Sequence, residues 1–181
     1  MVGVTDRVHF ADAYGVARRH VYPAAAGEGA DEVAGAAVAA LGITDGPTYV
    51  QVMMTPAGPL VMEVAARLGG GHDSELLALV TGVDLARAAV LAALGRPVDP
   101  DSLLPHPQAA GVIEFLRAPA GELIEAEGPD GVRFYHAPGH VYGELRVATD
   151  RAGYALATAT TREEALQAVT RLVDQVRFQT R

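Results

Sequence analysis

The sequence predicts an α+β fold: an antiparallel sheet with helices packed against it. Three observations carry the prediction. First, two β-rich runs, residues 49–54 (YVQVMM) and 59–66 (PLVMEVAA), are joined by the Pro/Gly turn TPAG at 55–58, which reads as a hairpin. Second, residues 109–119, 132–147 and 151–160 read as further strands following one another across turn residues, without a helix between each pair. Third, residues 160–178 repeat apolar side chains at helical spacing, with Ala165, Leu166, Val169, Leu172, Val173 and Val176 on one face. The composite is α+β, with antiparallel strands and helices packed against them.

Taken in order, residues 1–27 read as irregular, punctuated by Pro23 and Gly27. Residues 28–41 form a helix with Val33, Ala36, Ala37, Ala40 and Leu41 inward, stopped by Gly42. The hairpin follows. RLGGGHDSE (67–75) is a loop, and Asp73 or Ser74 can cap a short helix over 75–81. Residues 83–95 make another helix with a glycine stop. The stretch 96–108 holds four prolines in thirteen residues and reads as a linker. The expected organisation is therefore a first unit at 1–97, a Pro-rich linker at 98–108 and a small C-terminal unit at 109–181. In the last helix, Thr161 and Glu164 are spaced as a capping box, the hydroxyl and carboxylate each satisfying a backbone N–H of the first turn.

Composition narrows the function. Half of the chain is apolar, enough to bury a core. The formal charge is −8 and the basic residues are scattered, which argues against a nucleic-acid surface. There is no cysteine, so no disulfide, thiolate metal site or cysteine nucleophile. All fourteen basic residues are arginine, which excludes a Schiff base or a lysine contact to phosphate within these residues. No stretch reaches the ~20 apolar residues of a membrane span, and the N-terminus has no signal-peptide core. The expectation is a cytoplasmic protein without a membrane or nucleic-acid partner.

The stretch VMEVAARLGGGHD (61–73) stands out. Glu63 sits mid-strand between Met62 and Val64, where a carboxylate is expensive to bury without a cation, metal or donor. Arg67 follows four residues later, then three glycines that allow close backbone approach to a ligand, then His72, a general acid/base candidate near neutral pH. An ordinary Glu63–Arg67 ion pair at a sheet edge is the competing reading.

The region GITDGPTYVQVMMTPAGPLVMEVAARLGGGHDSELLALVTGVDLARAAVLAALG resembles the ATP-grasp carboxylate–amine ligases, in the branch of L-amino acid ligases and biotin-carboxylase-like enzymes. Ala40-Leu41-Gly42 matches the helix end of that family, and Glu63-x-Ala65-x-Arg67-x-Gly69-Gly70 falls on its Glu-x-Asn-x-Arg-x-Gly-Gly motif. Thr81-Gly82-Val83-Asp84 matches its Thr-Gly-x-Asp helix start. Residues 110–181 resemble its small C-terminal subdomain, with TTREEAL as the final helix start.

The resemblance implies that Glu63 corresponds to the second of two magnesium-binding acids, and Arg67 to an arginine that binds an acyl phosphate or a substrate carboxylate. Charge neutralisation of this kind is what phosphoryl transfer to a carboxylate needs. The sequence departs from the pattern in three ways. The first acid falls at Gln51, and the motif asparagine falls at Ala65, so any metal on Glu63 is expected to be weak. The chain also starts where a family member is past its middle, so no cofactor is expected for it alone; magnesium and ATP enter only if a partner subunit completes the site. A fragment, one half of a split enzyme and a standalone protein all fit this; the initial Met1 and the lost metal groups lean towards the last.

The expected site comprises Glu63, Arg67 and His72 as catalytic residues, with Tyr49, Gln51, Gly70, Gly71 and His20 binding substrate. Arg18 and Arg19 are candidates for an anion, and His136 and His140, four apart around a Pro-Gly turn, are weak candidates for a metal. Three functions stay open. The first is an ATP-independent acid/base enzyme acting on a small carboxylate, by cyclisation, isomerisation or elimination. The second is a carboxylate–amine ligase component needing a partner chain. The third is a non-catalytic binding protein. A homodimer is expected to cover faces that a full-length ligase buries.

Overall fold

The computed structural model describes all residues 1–181. The strands are β1 (Asp6–Phe10), β2 (Ala13–Tyr22), β3 (Tyr49–Thr55), β4 (Gly58–Ala65), β5 (Ala110–Leu116), β6 (Gly121–Glu127), β7 (Val132–Phe134), β8 (Val141–Tyr142), β9 (Gly153–Ala159) and β10 (Arg177–Thr180). The helices are α1 (Ala30–Ala40), α2 (Asp73–Thr81), α3 (Leu85–Ala93) and α4 (Arg162–Val173). The fold is α+β, with antiparallel pairing of β1 with β2, β3 with β4, β5 with β9 and β7 with β9.

Two compact units divide the chain. One comprises Met1–Thr5 and Tyr22–Gln108, the other Asp6–Val21 and Ala109–Arg181. This corrects the expected boundary in two respects. Asp6–Val21 does not belong with the first ninety-odd residues; it is the β1–β2 hairpin on the edge of the second unit's sheet. Nor is 98–108 a detached linker. It contains a 3₁₀ turn (Pro100–Leu103), and its end runs along the close of α2, where His106 N–H donates to Thr81 C=O (2.9 Å) and Gln108 N–H to Val80 C=O (2.9 Å).

In the first unit α1 lies against the β3–β4 hairpin, and α2 contacts α3. Leu76, Val80, Thr81 and Val83 are fully buried. The Thr-Gly-x-Asp stretch has a physical basis here. Gly82 ends α2 at φ 77°, a left-handed conformation that glycine adopts without cost, and two residues later Asp84 caps α3 by accepting from Arg87 N–H at 2.8 Å.

In the second unit the sheet order is β1-β2-β5-β9-β7, and α4 packs on β5 and β9. β5 is buried along its whole length. Val112, Leu116, Leu123, Tyr142, Ala155, Ala165 and Val169 form its core. A smaller sheet has the order β10-β6-β8. The capping box forms as expected, with Thr161 Oγ1 accepting from Glu164 N–H (3.2 Å) and Glu164 accepting from Thr161 N–H (3.0 Å). Three elements differ from the sequence reading. Residues 6–22 are strands rather than irregular. The run 132–147 breaks into β7 and β8. The final helix stops at Val173, and residues 177–180 pair with β6.

Candidate functional site

The β3–β4 register sets out the site. Gln51 pairs with Glu63, and Tyr49 with Ala65. Directly opposed residues share a face of the ribbon, so Tyr49, Gln51, Glu63 and Ala65 stand together, with a register shift just beyond Gln51. Arg67, at the end of β4, folds back onto this face. Its Nη2 donates to Glu63 Oε1 at 3.2 Å, its Nη1 to Leu68 C=O at 2.9 Å, and its guanidinium carbon lies 5.6 Å from the Tyr49 ring centre. That distance is within cation–π range. Glu63 and Arg67 side chains are 48% and 55% exposed, so their pair contributes under ~1 kcal/mol to stability. What it does is fix the guanidinium against the hairpin with N–H donors left over for an anion.

The glycine loop is tight at one point and open at another. A Cβ on Gly69 would fall 2.8 Å from Asp73 Oδ2 and 3.1 Å from Tyr49 Cδ2, so any larger residue there has to displace the Asp73 side chain. Gly70 would meet nothing within 4 Å. Gly71 and His72 are both left-handed, at φ 69° and 64°, and His72 is the one non-glycine residue with positive φ. His72 immediately precedes α2, and its Nδ1 lies 3.2 Å from Glu75 Oε2. The structure thus joins Glu63 to Arg67, and His72 to Glu75. His20 is placed in the second unit, where it is buried with its ring edge-on to Phe115, centres 5.4 Å apart.

The donor set does not suit a divalent cation held between two carboxylates. Across the ribbon from Glu63 stands a neutral amide, Ala65 offers a methyl group, and the one carboxylate already faces a guanidinium. No group of three or more His, Asp or Glu side chains anywhere in the chain is arranged to hold a metal. His136 and His140 stack face to face, 3.6 Å apart and 2° from parallel, rather than converging on a point. Burial, then the neighbouring His140, push the His136 imidazole below its ordinary range.

Two arrangements escaped the sequence. Arg18 and Arg19, the candidates for an anion, do not form an open anion site: both guanidinium groups converge on Glu114 of β5, Arg18 Nε at 2.6 Å from Oε1 and Arg19 Nε on Oε2. Glu114 is 4% exposed. Its place in an apolar run, VIEFL, was the signal available for a paired buried carboxylate. The other is a cavity of about 630 Å³ inside the first unit, lined by parts of α1, α2, α3, the 43–50 segment and Asp73. No pattern in the sequence announces it beyond the run of alanines in α1 and α3.

The fold defines the class. The chain superposes on the crystal structure of the L-amino acid ligase from Bacillus licheniformis with a TM-score of 0.81 at 18% identity, covering 99% of this chain and 50% of that one. It superposes on the phosphoribosylglycinamide synthetase of Anaerococcus prevotii with a TM-score of 0.83 at 15% identity, covering 98% of this chain and 49% of that one. It therefore has the fold of the C-terminal part of an ATP-grasp carboxylate–amine ligase. More narrowly, residues 114–181 match the family L-amino acid ligase C-terminal domain 2. A curated relative, carnosine synthase 1 of Gallus gallus, is 41% identical over 92 residues, 48% of this chain and 10% of that protein. The chain spans about half the length of the solved structures it resembles, and a tenth of that relative. These relatives are named as ligases and synthases, which removes support from the reading of ATP-independent cyclisation, isomerisation or elimination.

Proposed function

We propose that the chain serves as the substrate-facing C-terminal part of an ATP-dependent carboxylate–amine ligase, with ATP bound by polypeptide outside residues 1–181. In the reaction a substrate carboxylate oxygen attacks the γ-phosphorus of ATP, releasing ADP and forming an acyl phosphate. An amine then attacks the acyl carbon, the C–N bond forms, the C–O bond to phosphate breaks, and the amine proton is lost to solvent or a base. Arg67 binds the carboxylate and then the acyl phosphate, neutralising charge that builds on the transferring group. Glu63 and Tyr49 hold the guanidinium in place from opposite strands.

The observation that carries this reading is the Arg67 arrangement on the hairpin face, within a fold shared with an L-amino acid ligase along nearly its whole length. The exposed apolar residues Met53, Met54, Leu60 and Met62 of the same hairpin support it. A two-stranded ribbon is marginal by itself, and these residues offer a surface for further polypeptide.

The test is phosphate release from ATP with pairs of amino acids, by the chain alone and mixed with the N-terminal half of the Bacillus licheniformis ligase. Release is expected in the mixture and lost with Arg67→Ala. No release in any mixture, or release indifferent to Arg67→Ala, overturns the reading.

A further inference from the structure

The 630 Å³ cavity of the first unit falls in the range of small-molecule sites, about 300–1,000 Å³. It exists because the helices around it present small side chains. Ala34 and Gly35 of α1 and Ala88, Ala89 and Ala92 of α3 leave space that larger residues would fill. Val38, Ile43, Leu77 and Leu85 supply apolar walls. The charged side chains at the cavity are all of one sign: Asp31, Asp45 and Asp73 line it, and no Arg or His does. Asp31 and Asp45 are exposed at the rim, whereas Asp73 is 6% exposed. A largely apolar space whose charged side chains are all carboxylates favours a cation with a hydrocarbon body over an anion. Tyr49 joins this space to the hairpin face, since it lines the cavity and also carries the Arg67 guanidinium 5.6 Å from its ring.

We infer that this cavity binds an organic amine with an apolar body, its ammonium group on Asp73 and its hydrocarbon part between α1 and α3. That the occupant is the amine substrate rests on the ligase reading; the binding itself does not.

Binding is tested on the whole chain by titrating n-hexylamine, n-hexanol and n-hexanoate into ¹⁵N-labelled protein and following amide shifts. Hexylamine is expected to bind at least tenfold more tightly than hexanol, with shifts in α1, α3 and the start of α2, and hexanoate to give no saturable shifts. Asp73→Asn should erase the amine–alcohol difference. Ala88→Leu, which fills the space from α3 and leaves the Asp73 side chain in place, should abolish binding of all three and serves if Asp73→Asn does not fold. Equal binding of hexylamine and hexanoate, shifts confined to other parts of the chain, or unchanged binding in Ala88→Leu overturns the inference. Hexylamine binding together with a failed phosphate-release assay would remove the ligase reading and leave the amine site standing.

Discussion

Gln51→Glu returns a carboxylate to the position opposite Glu63. Cross-strand partners in an antiparallel pair hold their Cβ atoms about 4.5–5.5 Å apart, and Gln51 and Glu63 are such partners. At a charge separation of ~5 Å, Coulomb repulsion is ~0.8 kcal/mol in bulk water and ~3.3 kcal/mol at an effective dielectric constant of 20. Glu63 is about half exposed and already faces Arg67, so the lower figure applies and the metal-free variant should lose about 1 kcal/mol. A divalent cation removes that repulsion and gains a second carboxylate. If the rebuilt pair binds Mg²⁺ with a Kd of ~1 mM, 10 mM Mg²⁺ stabilises the variant by about 1.4 kcal/mol. For a domain of 60–100 residues that corresponds to a rise in Tm of roughly 5–10 °C. The wild type, with one carboxylate committed to a guanidinium, should move far less. The assay is thermal unfolding by circular dichroism with 10 mM MgCl₂ and, at matched ionic strength, with NaCl. Adding Ala65→Asn should enlarge the metal-dependent rise. Equal Mg²⁺ responses from wild type and Gln51→Glu would refute the reasoning, because they would mean that these two positions do not face a common space.

The remaining predictions concern stability and association. Glu114→Ala leaves Arg18 and Arg19 without their shared partner; removal of one member of a buried pair costs ~3–5 kcal/mol, and half-exposed Arg18 recovers water, so a loss of about 2–3 kcal/mol is expected in urea unfolding. His72→Gly should exceed His72→Val in stability by about 1–2 kcal/mol, because φ is 64° there and a β-branched residue pays the left-handed penalty; equal midpoints would contradict the backbone geometry. Hairpin exposure also leads us to expect self-association of the isolated chain, and a monomer in light scattering at 100 μM, a concentration of about that order being ample for a weak dimer, would refute it.

The sequence revealed most where local chemistry decides structure. The capping box at Thr161 and Glu164, the glycine stop at Gly42 and the TPAG hairpin each depend on residues adjacent in the chain, and each is found in the structure. What was hidden depended on distant partners. The β1–β2 hairpin was missed because bulges at Val8 to Phe10 interrupt its alternation, and because arginines and His20 sit where apolar residues signal a strand. Arg18 and Arg19 look like solvent-facing charges until Glu114, nearly a hundred residues away, is set beside them. The same holds for the site. Glu63 and Arg67 are legible from their spacing on one strand, whereas the pairing of Gln51 with Glu63 needs the register, and His72 looks like a partner of Glu63 until the backbone turns it to Glu75. The cavity could not be read at all, because alanine periodicity on two separate helices is equally consistent with close packing.

In the second unit, burial first and then neighbouring positive or imidazole charge lower the pKa of both His136 and His9 from the ordinary value of 6.5. The His136 ring lies flat on His140 and edge-on to Tyr142. A folded-state pKa below the unfolded one means that the folded form binds fewer protons. The stability these groups contribute is therefore present in full above pH ~6.5, and it is lost as pH falls from there towards the folded values. Urea midpoints of the second unit, followed by the near-ultraviolet signal of its tyrosines, should be flat between pH 7 and 8 and fall between pH 6.5 and 5. Carboxylates contribute in the same direction only lower down: Asp12, held down by Arg117, and Asp150, held down by the Arg146 and Val147 backbone N–H groups. The histidine contribution is isolated by His136→Phe, which keeps the stack on His140 and removes one titrating ring. That variant should show a shallower fall between pH 6.5 and 5. An unchanged slope would mean that the stacked imidazoles carry no net proton linkage, and the acid sensitivity would have to be sought in His9.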